Sequence, residues 1–443
     1  MQKSDVCMSL TDQKNNLGLD SSLAADIGMV QQVNLTLLTE HFKRLWHHGK
    51  NILLCWAATK EGIDVLVVPH YFLSQFSDSL NNCSPVDRLD ALNGSFMRQL
   101  IAGGRQLSEE DLQGTAKRFE LAIEHIELPV PVIRRSAVCK AIDVLVQRYS
   151  INYVKNRAVL LFDICDFSRC SSFEQISQLS SLSYSLNSAR KKLLSKGVEI
   201  HFSRTTTGDG YYIWNLDARP QGNADLFHFM VLVLADNAIA CRKMLAQRWR
   251  RNAQAYHVPK LRTGFHIGNH FEFYQSASEN SMVDSYIVGD VTIELARMLE
   301  LAQPGQIFIG DIDSWLPTSR SDGAYLVTVD SQNFVDRVSR RIAPLLGIEL
   351  SGEKITELNC YLTGETGVSA GQSVRRFKVT DKHGYSRNVY NLRINIRTEQ
   401  GKPLLIGLSD SSLPKRQYSG VKAIAENDRV LKRLSPTIAI ADD

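Results

Sequence analysis

The chain has no long uninterrupted apolar run. The longest within a helix-like pattern, Phe227 to Ala240, carries His228 and Asp236 and is shorter than the roughly 20 residues that cross a bilayer. The stretch Ile52 to Leu73 is interrupted by Lys60, Glu61 and Asp64, so no membrane-spanning helix is expected. A strong bias of charge is also missing. Lys plus Arg exceed Asp plus Glu by only four, 51 against 47, which excludes a polyanion-binding field over the whole molecule and makes nucleic acid an unexpected partner. Paired cysteines are missing too. The eight cysteines (7, 55, 83, 139, 165, 170, 241 and 360) form no CxxC pair and no zinc spacing, and no secretory pattern precedes them, so reduced thiols in a cytoplasm are expected.

What is present is a globular balance, 44% hydrophobic and 22% charged, over 443 residues, enough for roughly three domains at about 150 residues each. Residues 1–30 are polar and aperiodic and read as a flexible tail. Residues 31–150 read as a mostly helical accessory domain, with a Ser108 cap ahead of Glu109, Glu110 and Asp111. Residues 151–318 change character: strand Ala158 to Ile164, helix Phe173 to Lys196, a hairpin over Val198–Arg204 and Tyr211–Asn215, and a long helix from about Ala224 to Ala255. Strand Leu261–Ile267, strand Ser285–Val288, helix Thr292–Leu301 and strand Ile307–Ile309 follow. This β-α-β-β-α-β order with additions predicts an α+β, ferredoxin-like core. Residues 319–443 turn β-rich, with Val374–Thr380, Tyr385–Arg397 and Pro403–Gly407 reading as a small antiparallel domain.

Two aspartates stand at strand ends: Asp163 in Ala158-Val-Leu-Leu-Phe-Asp-Ile164 and Asp209 in Thr207-Gly-Asp-Gly-Tyr-Tyr-Ile213. Each alone is ordinary turn chemistry. In neighbouring strands, their carboxylates would converge on one rim and supply the hard oxygen ligands of a two-cation phosphoryl-transfer site. The segment Cys165, Asp166, Phe167 and Ser168 leads towards the next helix and is expected to offer backbone N–H groups to phosphates. His257, His266 and His270 read as ordinary core or rim histidines, and the basic run Arg242, Lys243, Arg248, Arg250 and Arg251 as a solvated helix end.

The segment Phe162-Asp-Ile-Cys-Asp-Phe-Ser168 resembles the first metal motif of class III nucleotide cyclases, and Thr207-Gly-Asp209 resembles the second. Arg262-Thr-Gly-Phe-His-Ile-Gly268 looks like the strand after that family's central helix, and Tyr286-Ile-Val-Gly-Asp-Val-Thr-Ile-Glu-Leu-Ala-Arg297 like the segment bearing its transition-state arginine. The resemblance implies that Asp163, Asp209 and the Ile164 backbone carbonyl bind two Mg²⁺ or Mn²⁺ ions. It also implies that Arg297 contacts the α-phosphate of a nucleoside triphosphate, and that a homodimer holds two sites at its interface. Residues 151–318 would then be the catalytic domain and 319–443 a sensor-like one.

The departures are specific. The family's ribose-orienting asparagine falls on Ile293, which leaves Glu294 or Thr292 to position the ribose. The base-reading positions hold Thr205 and Tyr286, matching neither purine code, and the aromatic ring narrows the pocket. That pattern is similar to the pyrimidine cyclases of bacterial antiphage signalling, which make cyclic CMP or cyclic UMP for a separate cyclic-nucleotide-gated effector. An adenylate or guanylate cyclase, a silent nucleotide-binding module and a palm-type polymerase or dinucleotide synthase are the competing expectations.

Overall fold

The computed structural model describes residues 26–76, 85–132, 136–219, 221–251, 258–278, 281–320, 323–364, 374–380, 384, 386–399, 403–409 and 422–424. The expected tail falls almost wholly outside these residues, but its end is helical: α1 begins at Met29, and Ile27 is buried. The chain divides into two compact units, one of residues 1–154 with 271–287 and the other of 155–270 with 288–443.

The first unit is not helical alone. Helices α1 (Met29–Trp46), α2 (Pro85–Leu100), α3 (Glu109–Arg118) and α4 (Ser136–Arg148) accompany an antiparallel sheet of β1 (Asn51–Ala58), β2 (Gly62–Pro69) and β3 (Ile123–Glu127). Strand β1 is buried on both faces, so the stretch beginning at Ile52 shows none of the alternation that marks a half-exposed strand. The Ser108 cap is formed as expected, its side chain accepting from the Asp111 N–H. Arg105, fully buried, donates to the carbonyls of Leu54, Leu100, Ile101 and Ile151 and so ties α2, β1 and the chain after α4 together.

The second unit carries the α+β core. Strand β4 (Ile151–Ile164) is followed by α5 (Ser172–Ser195), β5 (Phe202–Thr206), β6 (Gly210–Asn215), α6 (Gly222–Arg251) and β7 (Leu261–Ser278). The sheet order β7-β4-β6-β5 is the 4-1-3-2 order of a ferredoxin-like split βαβ. Strand β8 (Ser281–Val288), which belongs to the first unit except for Val288, precedes α7 (Asp290–Glu300) and β9 (Ile307–Gly310), the last parallel to β7. On one face Ala158, Leu160, Phe162 and Ile164 of β4 join Phe265 and Ile267 of β7 beneath Leu182 and Leu186 of α5 and Phe227, Met230 and Val231 of α6. Each fully buried Leu or Phe there is worth about 2 kcal/mol of transfer free energy.

Helix α6 begins two residues before the expected start at Ala224, and its segment Gly222–Leu245 has the length and hydropathy of a bilayer span. That segment is 72% buried as the central core helix of this unit.

The region after 318 does not stand apart. Strands β10 (Asp313–Arg320) and β11 (Gly323–Asp330) form a hairpin, and α8 (Ser331–Arg340) leads to β12 (Glu349–Leu350), β13 (Glu353–Leu362), β14 (Arg376–Thr380), β15 (Ser386–Thr398), β16 (Leu404–Ile406) and β17 (Lys422–Ile424). Strand β15 pairs antiparallel with β9, Val389 opposite Gly310 and Asn391 opposite Phe308, so the β-rich C-terminal region continues the core sheet instead of forming a separate domain. The physical reason is edge protection. The four-residue β9 would otherwise expose unpaired backbone groups, and its partner comes from far along the chain, where local patterning carries no signal.

Candidate active site

The two aspartates do meet. Asp163 stands opposite Gly210 in the β4–β6 register, and the Ile164 N–H donates to the Asp209 carbonyl at 3.0 Å. The turn between β5 and β6 is closed by the Thr207 N–H donating to the Gly210 carbonyl at 3.0 Å, while the Thr207 hydroxyl donates to the Asp209 carboxylate at 3.2 Å. Only glycine fits at 210, because a Cβ there would lie 1.9 Å from the Phe162 carbonyl oxygen. The Gly-Asp-Gly turn is therefore also a close-approach device that brings the second carboxylate beside the first.

Electrostatics record the meeting. Burial pushes the Asp163 carboxyl above its ordinary range, Arg262 opposes that shift, and the neighbouring Asp209 charge adds to it. Arg262, at the start of β7, holds the Asp163 carboxylate through Nε at 2.7 Å and through Nη2. Tyr212 lies two residues beyond Gly210 on the same face; burial and the Asp163 charge push its phenol up to about 12. Its hydroxyl donates to the Thr292 carbonyl at 2.9 Å, which ties the hairpin to the first turn of α7.

The loop after β4 is partly committed to its own fold. The Cys165 N–H donates to the Lys260 carbonyl at 2.8 Å, so of the four expected phosphate-facing amides this one is already engaged. Burial pushes the Cys165 thiol up to about 11, which makes it an unreactive packing group. Asp166 adopts φ +56° and pairs with Arg169 at 3.2 Å, Phe167 packs against the core, and Ser168 is exposed. A capping box, Ser171 with Glu174, then starts α5.

The α7 residues form a second cluster. Glu294 accepts from His266 Nε2 at 2.8 Å and pairs with Arg387 Nε at 3.3 Å, and it also interacts electrostatically with Arg297. Ile293 is 43% exposed, with no polar atom to offer a ribose. Beside the cluster lies a cleft of about 230 Å³ bordered by Met298, Gly310, Asp311 and Asn388. Thr205 is half-buried opposite Tyr212 in the β5–β6 register. Tyr286 belongs to the other unit, its ring stacked on Phe273 with centroids 5.7 Å apart.

The sequence reading missed Arg262, His266 and Arg387. Arg262 and His266 were legible, since with Gly264 and Gly268 they share one pleat face of β7, the face against which Leu295, Leu299 and Val291 of α7 pack. Arg387 carries no such local signal. His270 is buried as expected of a core histidine, and His257 lies outside the described residues.

Among the described residues no group of three or more His, Cys, Asp and Glu side chains is gathered as a metal site. Asp163 and Asp209 nevertheless suit a hard divalent cation. Both present carboxylate oxygens, and the mutual repulsion that helps raise the Asp163 pKa is what a bound cation offsets.

No protein-family model matches the chain, and no curated protein matches it. Solved structures with similarity include the adenylyl cyclase CyaB from P. aeruginosa, 13% identical over 55% of this chain and 95% of that one, with a TM-score of 0.31. The guanylate cyclase domain of RhGC from Catenaria anguillulae in complex with GTP is 12% identical over 54% of this chain and 97% of that one, with a TM-score of 0.28. The dimeric guanylyl cyclase domain of the RhoGC fusion protein from the aquatic fungus Blastocladiella emersonii is 16% identical over 41% and 99%, with a TM-score of 0.27. The ferredoxin-like assignment rests on the strand order of this chain itself.

Proposed function

We propose that this chain is a nucleotide cyclase that converts CTP or UTP to the 3′,5′-cyclic monophosphate and pyrophosphate, as a second messenger in antiphage defence read by a separate cyclic-nucleotide-gated effector. The observation that carries the reading is the placement of Asp209 beside the end of β4, with Asp163 opposite Gly210 and the Ile164 N–H donating to the Asp209 carbonyl, in a 4-1-3-2 sheet. Two Mg²⁺ or Mn²⁺ ions bound there, with the Ile164 carbonyl as a further oxygen ligand, would supply the positive charge that a triphosphate needs. Asp163 and Asp209 would hold those ions, whose charge would orient the phosphate end of the substrate. Arg297 meets the charge developing on the α-phosphate oxygens as the ribose 3′-oxygen forms its new bond to phosphorus and the bond to pyrophosphate breaks.

Asp163 is held by Arg262, whereas Arg297 stands on α7 beside Glu294. That suits a homodimer in which each site draws its aspartates from one protomer and its arginine from the other. Thr205 and Tyr286 in place of a purine code support a pyrimidine. Purified protein incubated with each of ATP, GTP, CTP and UTP in Mn²⁺ tests this by mass spectrometry of the product. Cyclic CMP or cyclic UMP is expected, and cyclic AMP or cyclic GMP as the main product would overturn the choice of base.

Two observations favour a second reading, a silent nucleotide-binding module: Asp163 is held by Arg262, and Ile293 stands where the resemblance implies a ribose-binding amide. Triphosphate binding with no cyclic product from any base, and unchanged binding in Asp209→Ala, would decide for it.

A further inference from the structure

We infer that Arg387, on the C-terminal strand β15, is a positioning residue for α7 and its Arg297, acting through Glu294 and His266. The inference rests on the cyclase reading for its catalytic consequence, and on the geometry of this one cluster for its existence.

Glu294 lies one helical turn before Arg297, so any shift in how Glu294 is anchored moves the arginine with it. Its carboxylate is caught from two elements at once, by His266 Nε2 of β7 at 2.8 Å and by Arg387 Nε of β15 at 3.3 Å. His266 is itself closely packed. It is 7% exposed, and its Nδ1 edge abuts Gly310 of β9 so closely that a Cβ there would lie 2.3 Å away. The imidazole is therefore wedged between β9 and α7, and Arg387 closes the clamp two residues before Val389 pairs with Gly310. Burial pushes the Glu294 carboxyl up, yet the hydrogen bond from His266 and the charges of His266, Arg387 and Arg297 together hold it below its ordinary range. A carboxylate kept charged in a half-buried place by the His266 ring, the Arg387 guanidinium and Arg297 of its own helix is an anchor for that helix.

Pairing of β15 with β9 delivers one guanidinium to the helix that carries the phosphate-contacting arginine. Regulation acting on residues 374–409 would then reach Arg297 along three side chains, with no separate domain contact required.

The test uses the full-length chain and four variants. Arg387→Ala is expected to lower kcat about tenfold or more, since small misplacements of a catalytic group are costly, while KM for the triphosphate and the Mn²⁺ activation constant stay within about twofold. Arg387→Lys recovers part of the loss, and Glu294→Gln reproduces most of it. Arg397→Ala is the control on the same strand; its pair with Glu357 spans 3.5 Å, both side chains are more than half exposed, and it leaves kcat unchanged. Hydrogen exchange gives the readout independent of activity. Amides of residues 290–300 exchange faster in Arg387→Ala and Glu294→Gln than in wild type or Arg397→Ala. Unchanged exchange across α7 in both variants, or a kcat within twofold of wild type, overturns the inference. If Arg387→Ala does not fold, Glu294→Gln and Arg387→Lys decide by the same two measurements. If wild type forms no cyclic product from any triphosphate, the cyclase reading falls on its own, and the exchange data still judge the clamp.

Discussion

The two faces of strand β4 differ by one residue in register and completely in purpose. Ala158, Leu160, Phe162 and Ile164 are sealed beneath α5 and α6 in the main apolar core. The alternate residues Val159, Leu161 and Asp163 face the side of α7, and there apolar burial gives way at the strand end to a carboxylate, a guanidinium and a second carboxylate. The difference teaches how a sheet can be both rigid and reactive. One face supplies the stability that lets the other hold like charges together, which costs free energy.

The comparison breaks most easily from the packed side. Phe162→Ala leaves a cavity under α6 and is expected to cost about 3 to 5 kcal/mol, read by urea denaturation. A cost near zero would mean that this face does not carry the fold. Asp209→Ala, on the other side, should lower cyclic product formation at least about a hundredfold. Its melting temperature should hold or rise, since removing Asp209 relieves a repulsion that raises the Asp163 pKa. A collapse in melting temperature would erase the distinction between the faces.

Acid sharpens it further. His228 of α6 is 1% exposed, and burial pushes its pKa down to about 4, against the opposing effect of the Val338 backbone. Because the unfolded chain takes up this proton near pH 6.5 and the folded chain does not, stability falls as pH drops from 6.5 to about 4. The loss amounts to roughly 3 kcal/mol, by the linkage of about 1.4 kcal/mol per pH unit. His228→Leu should flatten that segment of the stability–pH curve, and an unchanged curve would show that His228 is not its source. The smallest effect is expected from Arg262→Ala, about 1 to 2 kcal/mol of stability from a lost charged hydrogen bond. The Asp163 carboxyl should titrate at higher pH, read by carboxyl-carbon NMR. A downward shift would contradict the role assigned to Arg262.

Much of this was legible in the sequence, and the reasons are local. A continuous apolar run ending in Asp163 announces a buried strand, and Ser108 ahead of three acids announces a helix start. Gly197, at φ +74°, closes α5 where the pattern stops. The rest carries no local signal. Strand β1 is buried on both faces and so lacks alternation, and Arg105 looks like any surface arginine until several backbone carbonyls converge on it. The polar stretch after residue 318 reads as a domain boundary, whereas β15 returns past it to pair with β9.

By itself the sequence determined the order of elements, the strand-end positions of Asp163 and Asp209, and the glycine that lets them approach. These follow from hydrophobic periodicity and turn chemistry, both properties of neighbouring residues. Only the tertiary structure decided that Arg262 holds Asp163 and that Arg387 holds Glu294. Those contacts join residues far apart in the chain, and their energies depend on strand order and burial, which come into being only when the sheet is assembled.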